Sequence, residues 1–319
     1  ICEGALRISD LAKHCKENKI KAVGLCDSKN LCGALEFSES IAKSKTQPII
    51  GSQINIKYKD NIGKIPLFAK DLEGYKNLIK LSSKSFLEIE RNEEANCTID
   101  DLIEHSKGLI LLTGAFDGLI GKLFVKNLND EIKDLLNKLK KKFHNNLYIE
   151  IQRHKDNGEK TFEKFLLNIS ENIQLPLIAT QEVFYLEKNM HEAHDAYLCI
   201  GEKTYVNVKE RRKYSDEHYL KSSEEMYELF KDLPEALENN ANLPFRISYR
   251  PKNSSPVLPN IQTTESVNVD EILEKDSKEG LEEKLKDYVF PYMENKENSK
   301  IKKVYYDRLN HEIKIISKM

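Results

Sequence analysis

Short apolar runs alternate with stretches of helical periodicity over the first 185 residues. The strand-like runs lie at 22–26, 48–50, 108–112, 147–151 and 176–179. Between them, Ile132, Leu135, Leu136, Leu139 and Phe143 recur at helical spacing, as do Phe162, Phe165, Leu166, Ile169 and Ile173. Buried strands alternating with amphipathic helices predict parallel β/α units, hence an α/β barrel or an open α/β sheet. In such folds the chemistry sits just beyond the C-terminal strand ends. Here those positions are Asp27-Ser28, Gln53, Thr113-Gly114-Ala115, Gln152 with His154, and Gln181-Glu182.

Past the last strand the chain turns helical. Ser222 and Glu225 have capping-box spacing before Met226, Leu229 and Phe230. Residues 244–264 hold four of the nine prolines and read as a linker, with two helices following at roughly 269–289 and 301–318. No internal repeat is present.

Hydrophobic residues make up 39% and charged residues 32%, a globular balance, and the net charge is -2. A domain holding nucleic acid by itself would be basic, so charge argues against a free-standing nucleic-acid module. The basic run Lys138–Lys142 closes an amphipathic helix, where lysines suit the helix dipole. The chain has no run of 18 apolar residues, no signal-peptide pattern, and six cysteines without a C-x-x-C pair. A reducing cytoplasm and no membrane are the expectation. A first residue other than Met, and an end at Met319 within a helical pattern, read as a piece of a longer protein.

The candidate chemistry is sparse. His191 and His194 share a helical face, but H-E-A-H lacks the H-E-x-x-H spacing and a nearby third ligand. No phosphate-cradling glycine loop and no nucleophile elbow occurs. His154, Glu182 and Asp27 stand at strand ends, while a metal cluster needs three or more converging donors.

Several segments nevertheless carry a family likeness. Gly24-Leu25-Cys26-Asp27-Ser28-Lys29-Asn30-Leu31-Cys32-Gly33-Ala34 resembles the Thr-Asp-His-Gly-Asn-x-x-Gly-Ala segment of PHP domains in bacterial replicative polymerases, the DNA polymerase III alpha subunits. Pro48-Ile49-Ile50-Gly51 resembles that family's next strand, and Gly74-Tyr75-Lys76-Asn77-Leu78 its Gly-Tyr-x-Asn-Leu helix. The run 148–154, Ala193-His194-Asp195, 222–226 and Pro234-Glu235-Ala236-Leu237 follow in order. Tyr306-Asp307-Arg308-Leu309 resembles the helix entering the polymerase palm.

The resemblance implies a distorted β/α barrel over residues 1–243, a linker at 244–264, and the start of the palm region at 265–319. Active members hold up to three metal ions and hydrolyse phosphoesters. Against that pattern the leading His-x-His would fall before Ile1, and a ligand histidine is replaced by Ser28. A carboxylate is replaced by Gln53, a Cys or His by Ala115, and the closing histidine by Phe184. His154 and Glu182 remain, with Asp27 beside them. The expectation is a vestigial site with no bound metal or other cofactor in this stretch. Mg²⁺ would serve the parent polymerase through palm carboxylates beyond Met319. The implied role is a catalytically inactive scaffold that docks the proofreading exonuclease subunit, with other replicase subunits as partners and DNA bound through the rest of the polymerase. The rival is a metal-dependent PHP phosphoesterase with intrinsic 3'-5' proofreading.

Overall fold

The structure is a computed structural model that describes residues 3–89, 93–257, 268–292 and 298–318. Cys2, the end of the expected linker at 258–264, and residues 265–267 lie outside the described residues. The chain forms two compact units, Ile1–Asn253 and Ser254–Met319.

In the first unit the elements run α1 (Ile8–Glu17), β1 (Ala22–Ser28), α2 (Ala34–Lys43), β2 (Gln47–Tyr58), β3 (Asn61–Ala69), α3 (Leu72–Leu87), β4 (Cys97–Thr98), α4 (Ile99–Glu104) and β5 (Leu109–Leu112). They continue with α5 (Leu119–Val125), α6 (Asn129–Phe143), β6 (Leu147–Ile151), α7 (Glu159–Ile173), β7 (Leu177–Ala179), α8 (His191–Glu202), α9 (Ser223–Phe230) and α10 (Pro234–Asn242). The strands form one sheet in the order β1-β2-β3-β5-β6-β7, with the short β4 added to β2. It curls as a half-barrel, the mixed α/β architecture of a distorted barrel.

The sheet departs from the expected all-parallel units. β2 and β3 form an antiparallel hairpin, and β3 runs antiparallel to β5, while β1–β2, β5–β6 and β6–β7 are parallel. Pro66 within β3 hides this strand from a reading of local pattern, because proline cannot serve a strand paired on both sides. It is tolerated here because β5 pairs only with Leu67, Phe68 and Ala69, leaving Pro66 opposite Gln53 of β2 alone.

The outer face of the sheet buries Ile54, Ile56, Ile65 and Leu67 beneath α3 to α7, whose apolar stripes supply Leu78, Leu81, Leu123, Leu135, Leu139 and Leu166. On the inner face Ile49, Ile110, Leu112, Tyr148 and Ile178 pack under Leu243 and Ile247. Side chains alternate along a strand. Moving toward the C-terminal strand ends therefore brings Gln53, Glu150, Gln152 and Thr180 onto the same inner face. One end of the concave side is apolar and closed, the other polar. The edge strand β7 is covered by α10, whose Asn239 and Asn240 side-chain amides donate to the carbonyls of Leu177 and Ala179 at 2.8 and 2.7 Å.

Residues 243–251 stay with this unit: the Ser248 amide donates to the Lys70 carbonyl at 2.8 Å, and Gln47 Nε2 donates to the Pro244 carbonyl at 2.9 Å. The second unit pairs α11 (Val269–Lys284) with α12 (Asn298–Ile316), joined by Tyr306, which donates to Glu282 at 2.6 Å.

Candidate functional site

The polar end of the half-barrel gathers four of the seven sequence-predicted residues into one network. Glu182, after β7, accepts a hydrogen bond from Gln53 Nε2 at 3.0 Å. Its backbone N–H donates to His154 Nε2 at 3.1 Å. His154 is buried and stacks on His218, with ring centroids 4.1 Å apart and planes within 8°. Phe184 stacks on the other neighbours, 4.8 Å from His218 and 5.3 Å from His194. Both nitrogens of His218 face acceptors, the Glu182 carbonyl and Asp156 Oδ2, each at 3.0 Å.

These contacts decide what His154 can do. Its Nε2 lone pair receives the Glu182 amide, which puts the ring proton on Nδ1. Nδ1 lies 3.6 Å from Glu159 Oε1. Glu159, in the first turn of α7, also accepts from the backbone amides of His154 and Lys155 at 2.8 Å each. An imidazole binds metal through a free lone pair, and here none points into the cleft. Burial pushes the ring's pKa down, so the neutral form is favoured.

Asp27 and Ser28 end β1 at the neighbouring strand. Burial raises the Asp27 carboxyl above its ordinary value, helped by the nearby Glu3 charge. Ser28 hydrogen-bonds the Glu3 side chain. Ala115 is not part of the network: it lies after β5, where its carbonyl accepts from the Gly118 amide at 3.0 Å. His191 and His194 do not converge on a common point either. Each ring Nε2 meets a backbone carbonyl, Tyr214 at 3.1 Å and Glu3 at 2.7 Å. In the basic run, Lys138 pairs with Asp100 at 2.8 Å and Lys140 donates to the Ile173 carbonyl at 2.6 Å.

Lys64, Glu150, Glu3, Asp117, Asp156 and His218 were not singled out by sequence. Glu150 is buried within β6 and accepts from the Gly114 amide at 3.1 Å, Gln152 Nε2 at 3.1 Å and the Thr180 hydroxyl. Burial pushes its pKa up to about 7 against those three donors. Lys64 of β3 places its ammonium 3.2 Å from Glu3 Oε1 and 3.2 Å from Asp117 Oδ2. Burial works against its charge, but Asp117, Glu182 and Glu3 outweigh burial and hold its pKa above the ordinary value. A signal for both existed: each is a lone charge inside an apolar strand, Asn61-Ile62-Gly63-Lys64-Ile65-Pro66-Leu67-Phe68-Ala69 and Leu147-Tyr148-Ile149-Glu150-Ile151. The other four lie on loops and join the cleft only through the fold.

The donor set does not fit a metal cluster. Among the described residues no group of three or more His, Cys, Asp or Glu is placed to hold one ion. Gln and Ser oxygens are weak ligands for transition metals, and Ala and Phe offer none.

The model of the PHP domain matches residues 1–154. Along its length the chain is similar to DNA polymerase III subunit alpha: that of Rickettsia conorii is 38% identical over 321 residues, covering 99% of this chain and 27% of that protein. The Caulobacter vibrioides protein of the same name is 34% identical, covering 100% of this chain and 28% of its own length. The one from Pseudomonas aeruginosa is 32% identical, covering 100% and 27%. The chain thus spans about a quarter of the length of the curated relatives it matches.

Proposed function

We propose that this chain is the N-terminal portion of the alpha subunit of a bacterial replicative DNA polymerase, and that its PHP domain is a catalytically inactive scaffold. The parent protein would be a DNA-directed DNA polymerase of the cytoplasm, using Mg²⁺ at palm carboxylates outside this stretch. The scaffold would dock the proofreading exonuclease subunit and sit among other replicase subunits, with DNA held by the rest of the polymerase. The vestigial site comprises Asp27, Ser28, Gln53, Ala115, His154, Glu182 and Phe184.

The observation that carries the reading is the Gln53–Glu182–His154 chain of hydrogen bonds. Groups that would have to face a metal instead satisfy one another, and Phe184, where the family resemblance expects a histidine, stacks on His194 and His218. A hydrolase of this kind needs a metal-activated water. Among the described residues no helix is long and apolar enough to cross a membrane, in keeping with the proposed compartment.

Elemental analysis after dialysis, beside a phosphodiester hydrolysis assay with Mn²⁺ and a pull-down against the cognate exonuclease subunit, tests the proposal. The expected result is no stoichiometric metal, no hydrolysis and capture of the exonuclease. Near-stoichiometric metal, or hydrolysis that disappears in His154→Ala, would overturn it.

A further inference from the structure

Lys64 is a charged residue in the middle of the β2–β3 hairpin, opposite Asn55, with a side chain only 18% exposed. Its ammonium is met by carboxylates from segments far apart in sequence. Glu3 precedes α1 and lies 3.2 Å away; Asp117 lies in the β5–α5 loop at 3.2 Å. Glu182, after β7, is the third carboxyl near it: burial and the Asp117 charge raise its pKa, and Lys64 acts the other way. Three carboxylates brought to the mouth of one cleft repel one another, most strongly where they are buried, as Glu3 and Glu182 largely are. A cation within such a cluster relieves the repulsion.

We propose that Lys64 is that cation: a built-in ammonium that bonds Glu3 and Asp117 directly and offsets the charge of Glu182 at the same strand-end cleft, in the role a bound divalent ion would otherwise have to fill. The assignment rests on the reading of the cleft as metal-free and adds the residue that makes it so. The chemistry is matched. An ammonium offers three donors and one positive charge, enough to bond two carboxylates directly while lowering the cost of the third. The remaining need is met locally, since Gln53 donates to Glu182 and Ser28 to Glu3. A divalent ion would meet the Lys64 charge on entering this cluster. The domain therefore keeps the three segments together without metal.

The test measures thermal midpoints of the full chain in EDTA and in millimolar MnCl₂, for the wild type, Lys64→Arg, Lys64→Met, Glu182→Gln and the double variant Lys64→Met/Glu182→Gln. Wild type is expected to have the same midpoint in both media. Lys64→Arg keeps the charge and should stay near wild type, whereas Lys64→Met should melt several degrees lower. The double variant should recover part of that loss, because the neutral amide introduced by Glu182→Gln still accepts from Gln53 but no longer repels its neighbours. If Lys64→Met does not fold, folding of the double variant carries the same meaning. Losses that simply add, a Lys64→Met protein as stable as wild type, or failure of both variants carrying Lys64→Met to fold would overturn the assignment. Metal bound to the wild type would sink the inactive-scaffold reading; additive losses without metal would sink only the role given to Lys64.

Discussion

The backbone amide of Glu182 donates to Nε2 of His154 at 3.1 Å, joining the loop after β7 to the end of β6. The bond spends the lone pair that a ligand histidine would offer, and His154 adds to it the face-to-face stack on His218. His154→Ala would therefore act on stability. It leaves the Glu182 amide unpaired in a buried setting and removes a packed ring, a loss of about 2–4 kcal/mol. Urea denaturation should show a lower midpoint with the slope unchanged. A stability within about 0.5 kcal/mol of wild type, the range of surface substitutions, would contradict this role.

Glu150 makes folding sensitive to pH in a definite direction. Its carboxyl is raised from an ordinary 4.5 to about 7, so between those values the folded chain binds more protons than the unfolded one. The resulting stability is fully present below 4.5 and lost as pH rises through about 7. The upper bound is about 3 kcal/mol. His154 contributes with the opposite sign: its lowered pKa removes stability as pH falls below the ordinary 6.5. Comparing wild type with Glu150→Gln cancels the histidine. Across pH 4.5 to 7 the wild type should lose stability relative to the variant, as read by denaturation at each pH. A difference that is constant with pH would count against a buried, raised Glu150.

Gly74 starts the α3 segment Gly74-Tyr75-Lys76-Asn77-Leu78, and its place in the fold explains why it must be glycine. A Cβ there would lie 1.8 Å from the Gly108 carbonyl oxygen. Asp71 caps the helix by accepting from the Gly74 amide at 2.9 Å, and Asn77 donates to the Lys107 carbonyl at 2.9 Å, which locks α3 onto the start of β5. Backbone cannot yield as a side-chain tip does, so Gly74→Ala should cost about 2 kcal/mol or more. Gly280 in α11 meets nothing within 4 Å, so Gly280→Ala should cost nothing. Thermal unfolding of the two variants side by side makes the comparison. Equal midpoints would remove the close-approach argument.

Much of the fold was legible in the sequence because it rests on local periodicity. The stripe Ile132, Leu135, Leu136, Leu139, Phe143 is buried along α6, and the expected run at 147–151 is β6. The capping box formed as its spacing requires, with the Ser222 amide donating to Glu225 Oε2 at 2.8 Å and the Glu225 amide to Ser222 Oγ at 3.2 Å. The strand ends at 147–151 and 176–179 are legible and place His154 and Glu182 at the cleft. Gln53, expected just past the strand at 48–50, lies inside the longer β2, whose extent is hidden because the run of the hairpin beyond Gly51 mixes polar and apolar residues.

Tertiary structure decided the rest. Hydrophobic alternation says that a strand is half-buried and not which way its neighbour runs, so the antiparallel β2–β3 hairpin and Pro66 within it came only from pairing. The orientation of His154 toward the Glu182 amide depends on a hydrogen bond spanning 28 positions, and the stack on His218 reaches farther still. Lys64 meets Glu3 across 61 positions and Asp117 across 53. Glu3 and Asp117 alone read as ordinary surface charges. Their convergence is a property of the closed fold, in which separate loops meet over one set of strand ends and burial makes every unpaired charge costly.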